Sequence, residues 1–208
     1  MTATFPLLGE PLALDLLNTS SPAMGDLIAD PAALAAWVEA QPGRLTPLAR
    51  VAGPELSAVH AVREAAREAL EAVRHGERPP VGALRVLNGA LAAAPALRAL
   101  DWTPGEGLTA AVHLRTADPA RRLAAELAGA VADLLTDPRV ADVRGCEGAE
   151  CALLFLPANQ RRRWCVAGIC GNRARVARYY ARHAKDEASA PDVLRGSIGQ
   201  PGRQPGDR

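Results

Sequence analysis

The 208-residue sequence has no cysteine outside residues 146–170, no acidic residue between Arg161 and Lys185, and almost no net charge, formally +1. It contains no H-E-x-x-H, phosphate loop, dinucleotide fingerprint or nucleophile elbow, so an enzyme reading has no motif behind it. The opening MTATFPLLGEPLALDLLNT has no basic n-region and no long apolar run. Neither a signal peptide nor a membrane span is therefore expected, and a cytoplasmic, reducing location follows. No internal repeat of solenoid period is found.

About half of the residues are hydrophobic, enough for one main domain with a sizeable core and a small appendage. The near-zero charge hides an asymmetry. Arg161, Arg162, Arg163, Arg173, Arg175, Arg178, Arg182 and Lys185 fall in one 25-residue stretch without an acid, so the basic charge is local and C-terminal.

Along the chain, Leu12, Leu14 and Leu16 alternate with Ala13, Asp15 and Leu17, the period of a strand with one buried face, ending at a polar turn from Asn18 to Pro22. Asp30-Pro31 and Asp118-Pro119 each pair an N-cap with proline at the first helical position. They predict a short helix through Leu34, Trp37 and Val38 and a long amphipathic one through Leu123, Leu127, Val131 and Leu134. Residues 54–75 form the longest helical pattern, and a further helix is expected over 81–93. Strands are expected over 97–102 and 108–116 on either side of Pro104-Gly105. The pattern is α+β: a helix-rich mixed α/β domain over 1–139, a small cysteine domain over 140–187, and a Pro/Gly/Ser-rich tail over 188–208 expected to be disordered.

Cys146 and Cys151 form one C-x4-C pair, and Cys165 and Cys170 form a second. Two short-spaced pairs in a reducing compartment suit a tetrahedral four-thiolate zinc site, each pair on a turn helped by nearby Gly145, Gly148, Gly168 and Gly171. Two disulfides fit the count but not the compartment, redox chemistry prefers C-x-x-C, and a catalytic zinc usually keeps an open position. Residues 152–156 and 163–166 can form a hairpin around Pro157 to Gln160, and a helix would start near Cys170. This order is treble-clef-like.

The run Cys146-x4-Cys151, Leu154-Phe155-Leu156, Arg162-Arg163-Trp164-Cys165 and Cys170-Gly171-Asn172-Arg173 resembles the CGNR zinc finger. That finger is paired in its family with an N-terminal domain called ABATE, and the resemblance implies a stress-induced transcription regulator. Upstream, Leu14-Asp15-Leu16-Leu17-Asn18-Thr19, Leu34 with Trp37, and Val62-Arg63-Glu64-Ala65 are similar to the family's opening strand and first helices. The chain departs from the family pattern at Pro157 with a shortened polar loop, and at Val166-Ala167.

On a helix starting near Cys170, Arg175, Arg178, Arg182 and Lys185 form one stripe, with Val176, Tyr180 and His183 roughly opposite and able to dock on the finger's hairpin. This stripe, with Arg161, Arg162 and Arg163, is the candidate contact to DNA phosphates, which would give affinity without sequence specificity. The bland alternative is a solvated face that balances the thiolates. Arg173 falls off the stripe and is expected to pack within the finger. Asn18 and Thr19 at the strand end, Arg63 in its helix and Asn88 in the next are candidate lining for a small-molecule pocket, Arg63 offering charge to an anion. Each also reads as a cap or a satisfied core group. The expected partners are zinc, DNA and an unidentified small molecule, with no membrane; the oligomeric state is open, a homodimer included. The competing readings are a finger that docks proteins or domains without DNA, and an enzyme housed in the N-terminal domain.

Overall fold

Apolar helix faces dictate the core of the chain. In the computed structural model, which describes residues 5, 6 and 9–188, helices α1 (Leu12–Leu17), α2 (Pro31–Glu39), α3 (Gly53–Arg74), α4 (Val81–Ala93) and α5 (Pro119–Thr136) enclose one cluster. Leu14, Leu16, Leu34, Trp37, Val59, Val62, Leu123, Leu127 and Val131 are all but inaccessible in it. Burial of each such side chain contributes roughly 1.5–3 kcal/mol. Among the described residues, no helix is long and apolar enough to cross a membrane.

The caps act as the sequence implies. Asp30 Oδ1 accepts the Ala33 N–H at 2.8 Å, and Asp118 Oδ1 accepts those of Ala120 and Arg121 at 2.9 and 3.2 Å. At α3, Glu55 reaches back to the Ala52 N–H at 2.9 Å, satisfying one donor orphaned at the helix start.

Residues 12–17 are a helix and not the expected strand. Ala13, Leu14, Asp15, Leu16 and Leu17 are all buried, so no solvent face exists to impose a period, and alternation of leucine with alanine carries no information. Asn18 and Thr19 therefore follow a helix. Asp15 enters the core because Arg44 Nη1 pairs with its carboxylate at 2.5 Å.

Three two-stranded antiparallel sheets complete the described chain. Ser20–Ser21 (β1) pairs with Gly25–Asp26 (β2). Ala96–Thr103 (β3) and Gly107–Leu114 (β4) form a long hairpin closed through Gly105 and Gly107, whose positive φ of 92° and 82° suits glycine. A 3-10 turn, Pro138–Asp142, leads from α5 into Arg144–Gly145 (β5), which pairs with Leu154–Phe155 (β6). A π turn, Ala167–Gly171, opens the last helix, α6 (Asn172–Ala188). The α+β class and the helix after the second cysteine pair match expectation. The tail beyond Ala188 lies outside the described residues.

Candidate metal centre and basic helix

The four sulfur atoms of Cys146, Cys151, Cys165 and Cys170 converge within 4.8 Å of one another. Cys165 Sγ lies 3.8 Å from Cys151 Sγ and 3.6 Å from Cys170 Sγ. A tetrahedron with Zn–S bonds of about 2.3 Å has edges near 3.8 Å, whereas a disulfide needs about 2.05 Å. All four cysteines are free thiols, and three are buried, with only Cys151 half-buried. The donor set thus fits one closed, tetrahedral zinc ion, which when bound would supply a divalent charge to hold four thiolates together.

Local backbone builds the two knuckles. Cys146 Sγ accepts the N–H groups of Gly148 at 3.4 Å and Cys165 at 3.3 Å, so the second knuckle is hydrogen-bonded to the sulfur of the first. The Cys151 N–H closes onto the Gly148 carbonyl at 3.1 Å, with Glu150 in the left-handed region at φ 61°. Gly148 is required by crowding: a Cβ there would lie 3.0 Å from Cys170 Cβ and 3.3 Å from its sulfur. In the π turn, the N–H groups of Cys170 and Gly171 both reach the Val166 carbonyl, and Gly171 lets the backbone lie against the Trp164 ring.

Electrostatics divide the thiols. Burial drives the Cys165 thiol far above its ordinary value, helped by the neighbouring Cys146 sulfur, and burial likewise raises Cys170. Burial also acts on Cys146, but the N–H groups of Cys165 and Gly148 stabilise its thiolate and leave it below the ordinary value. Cys146 therefore ionises before Cys165 and Cys170. Cys165 and Cys170 become thiolates when a cation offsets the cost of burying their charge.

The expected hairpin between residues 152–156 and 163–166 is replaced by β5–β6. The first knuckle is itself the bend of that pair, and the Cys146 N–H bonds to the Leu153 carbonyl at 2.9 Å. The main domain binds the β6 segment through side chains. Asn18 Nδ2 donates to the Leu154 carbonyl at 2.9 Å, and Asn18 Oδ1 accepts the Leu154 N–H at 2.8 Å. Glu10 Oε2 accepts the Leu156 N–H at 2.8 Å, while Oε1 pairs with Arg162 at 2.8 Å.

Arg162 is therefore turned inward and not toward a phosphate. Its Nη2 donates to the Cys165 carbonyl at 2.7 Å and its Nε to that of Trp164 at 3.2 Å, and the guanidinium lies 4.4 Å above the Phe155 ring. Arg163 is exposed but paired with Glu147, Nε to Oε2 at 2.7 Å, which lowers the Glu147 pKa. Arg161, Arg175 and Arg178 are exposed. Arg175 bonds only Asn172 Oδ1 and Arg178 only the Ala174 carbonyl, so neither is neutralised by an acid among the described residues. The side chains of Arg182 and Lys185 lie outside those described.

Two expectations for α6 are corrected. Val176 and Tyr180 do not dock on the finger; they are exposed together with Tyr179, because among the described residues the helix packs substantially only on the π turn at its root. Tyr179 instead contacts Tyr180 and His183 edge-on, at centroid distances of 5.7 and 4.2 Å. Arg173 is exposed, not packed within the finger.

Asn18, Thr19 and Arg63 are each buried and engaged internally. Arg63 makes two 2.7 Å bonds to the Asp26 carboxylate and one of 3.1 Å to Thr19 Oγ1, which donates to the Leu16 carbonyl. Asn88 is exposed on α4 and is not among their hydrogen-bond partners. A cleft of about 570 Å³ opens elsewhere, lined by Leu12, Arg44, Leu91, Ala130 and Asp133 among others; none of the four candidates lines it. Glu10 and Asp26 escaped sequence reasoning, since a lone acid in a loop gives no signal until its arginine is placed.

The ABATE family, described as "putative stress-induced transcription regulator", matches residues 10–138, and the CGNR zinc finger matches residues 143–183. No curated protein matches the chain.

Proposed function

The chain belongs to the ABATE family and carries a CGNR zinc finger, and from that premise we propose that it is a DNA-binding transcription regulator. The observation behind the reading is that Arg161, Arg175 and Arg178 are exposed without an acidic partner among the described residues, the latter two on a helix that packs substantially only on the π turn at its root. In this reading zinc is structural and fixes the root of α6. The arginines contact phosphates; Arg162 does not. Residues 1–139 form the sensing domain and 140–187 the finger, and Asn18 and Glu10 link one to the other.

Binding of a duplex should weaken steeply with salt, with a slope of about −0.9 per phosphate contacted. Replacing Arg161, Arg175 and Arg178 by Ala should shallow that slope by about three contacts' worth and leave zinc content unchanged. Duplex binding indifferent to the triple substitution would overturn the assignment. A second reading, protein docking by α6, is favoured by exposed Val176, Tyr179 and Tyr180; it predicts that Tyr180→Ala weakens a protein complex without altering the salt slope on DNA.

The sensing role needs an opening, and the 570 Å³ cleft offers one where the Asn18, Thr19 and Arg63 group does not. A small molecule that raises Tm should lose its effect in Ala130→Phe, which fills the cleft. Undiminished stabilisation of that variant would place the ligand elsewhere.

A further inference from the structure

The β3–β4 hairpin projects from the body as an arm. Its eight paired residues per strand run about 26 Å, and among the described residues neither face carries a further element packed substantially on it. An isolated two-stranded hairpin is at best marginal in water. This one has no visible compensation: its register is continuous, with no bulge, and it contains no lysine or proline within either strand, the usual devices that blunt a free strand edge.

Its two faces differ. The register sets Trp102 opposite Leu108 and Leu100 opposite Ala110, so these four share one face. Leu100, Trp102 and Leu108 are 68%, 72% and 64% exposed. Toward the tip the reverse face carries Asp101, Thr103 and Thr109, with Leu97 nearer the base. A sheet polar on one side and apolar on the other normally has the apolar side covered.

We propose that this face is covered by the same face of a second copy of the chain, the two arms stacking antiparallel about a two-fold axis. Three observations favour a second copy over another occupant. The face is self-complementary in the sense a two-fold contact requires. Side chains of this size, exposed to this degree, present on the order of 500 Å² per copy, so two copies remove about 1,000 Å², the extent a specific interface needs. Charge also matches: Arg98 lies at the base of the same face and Glu106 in the turn at its tip. Antiparallel stacking sets each Arg98 beside the partner copy's Glu106. Neither residue has an ion-pair partner in its own chain among the described residues.

The contact is independent of whether the finger binds DNA. Sedimentation equilibrium of the full, zinc-loaded chain should give twice the 21.8 kDa monomer mass at micromolar concentration. Trp102→Glu with Leu108→Glu should raise the dimer dissociation constant by more than about thirtyfold, with helical circular dichroism and zinc content unchanged. Arg98→Glu alone should weaken the dimer, and adding Glu106→Arg should restore it. A wild-type chain monomeric throughout the series, as expected if the face serves a different partner, overturns the proposal. So does a dimer untouched by the double substitution, or a charge swap that fails to restore one.

Discussion

The carboxamide of Asn18 pairs with the backbone of Leu154 through both of its polar atoms, as a neighbouring strand would, across 136 residues of sequence. Asn18 is 2% exposed, and β6 meets β5 on its other edge. The residue that caps the C-terminus of α1 thereby serves as a third strand for the finger's small sheet.

Asn18→Ala should therefore cost about 2–4 kcal/mol, since it leaves a largely buried N–H and carbonyl unpaired at once. Asn18→Asp keeps the acceptor but sets a carboxylate against the Leu154 carbonyl, and should be no better. Urea unfolding followed by circular dichroism measures both; a loss below about 0.5 kcal/mol, the level of an ordinary surface change, would show the pairing to be dispensable.

The adjacent arginines separate in their consequences. Arg162→Ala removes donors from the carbonyls of Cys165 and Trp164, a cation over Phe155 and the partner of buried Glu10, and should destabilise the fold by about 3 kcal/mol or more. Arg161→Ala should change stability by less than about 0.5 kcal/mol. Thermal unfolding of the two variants distinguishes them, and equal effects would contradict the inward role of Arg162.

Hydrogen bonds from Arg63 hold the Asp26 carboxyl below its ordinary value of 3.8, against the opposing effect of burial, with the Ile28 N–H and His60 assisting. A depressed folded-state pKa gives stability that is complete above the unfolded value, near pH 4, and is lost as pH falls through the folded one. Asp26→Asn should lower stability at neutral pH and flatten the acid limb below about pH 4. An acid limb identical to wild type would assign the dependence to other carboxylates.

Gly148→Ala should weaken zinc retention, because its Cβ meets Cys170 at 3.0 Å; strain of about 1–3 kcal/mol is expected. Gly145→Ala is the control, having open space at the same position of its Cβ. Competition with a chromophoric chelator reads both, and about one zinc per chain is expected for wild type. Indistinguishable affinities would mean the knuckle can shift to accept the methyl group.

The sequence was most informative where chemistry is local. Asp30-Pro31 and Asp118-Pro119 carry their own helix starts, and cysteine spacing alone brings sulfurs onto common turns. It was least informative where a segment is surrounded by protein. Residues 12–17 lack a polar face, so their period could not tell helix from strand. The pairing of β5 with β6 involves two residues per strand, too few for alternation to register. Thr19 and Arg63 do meet, yet the Arg63 guanidinium is taken up by Asp26, whose position 37 residues from Arg63 has no local signature. The exposure of Arg173, Val176 and Tyr180 depends on how far α6 stands from the finger, a tertiary property that amphipathic spacing does not encode.

The junction between body and finger has a consequence for inheritance. Val140 and Val143 belong to the main core, and Leu154 and Leu156 pack against it, so no free length of chain separates the metal-binding part from the rest. The finger is not a transplantable cassette. Recombination that exchanged it between related regulators would have to carry compatible residues at Glu10 and Asn18, more than a hundred positions upstream, and the two parts should therefore diverge together as one heritable unit.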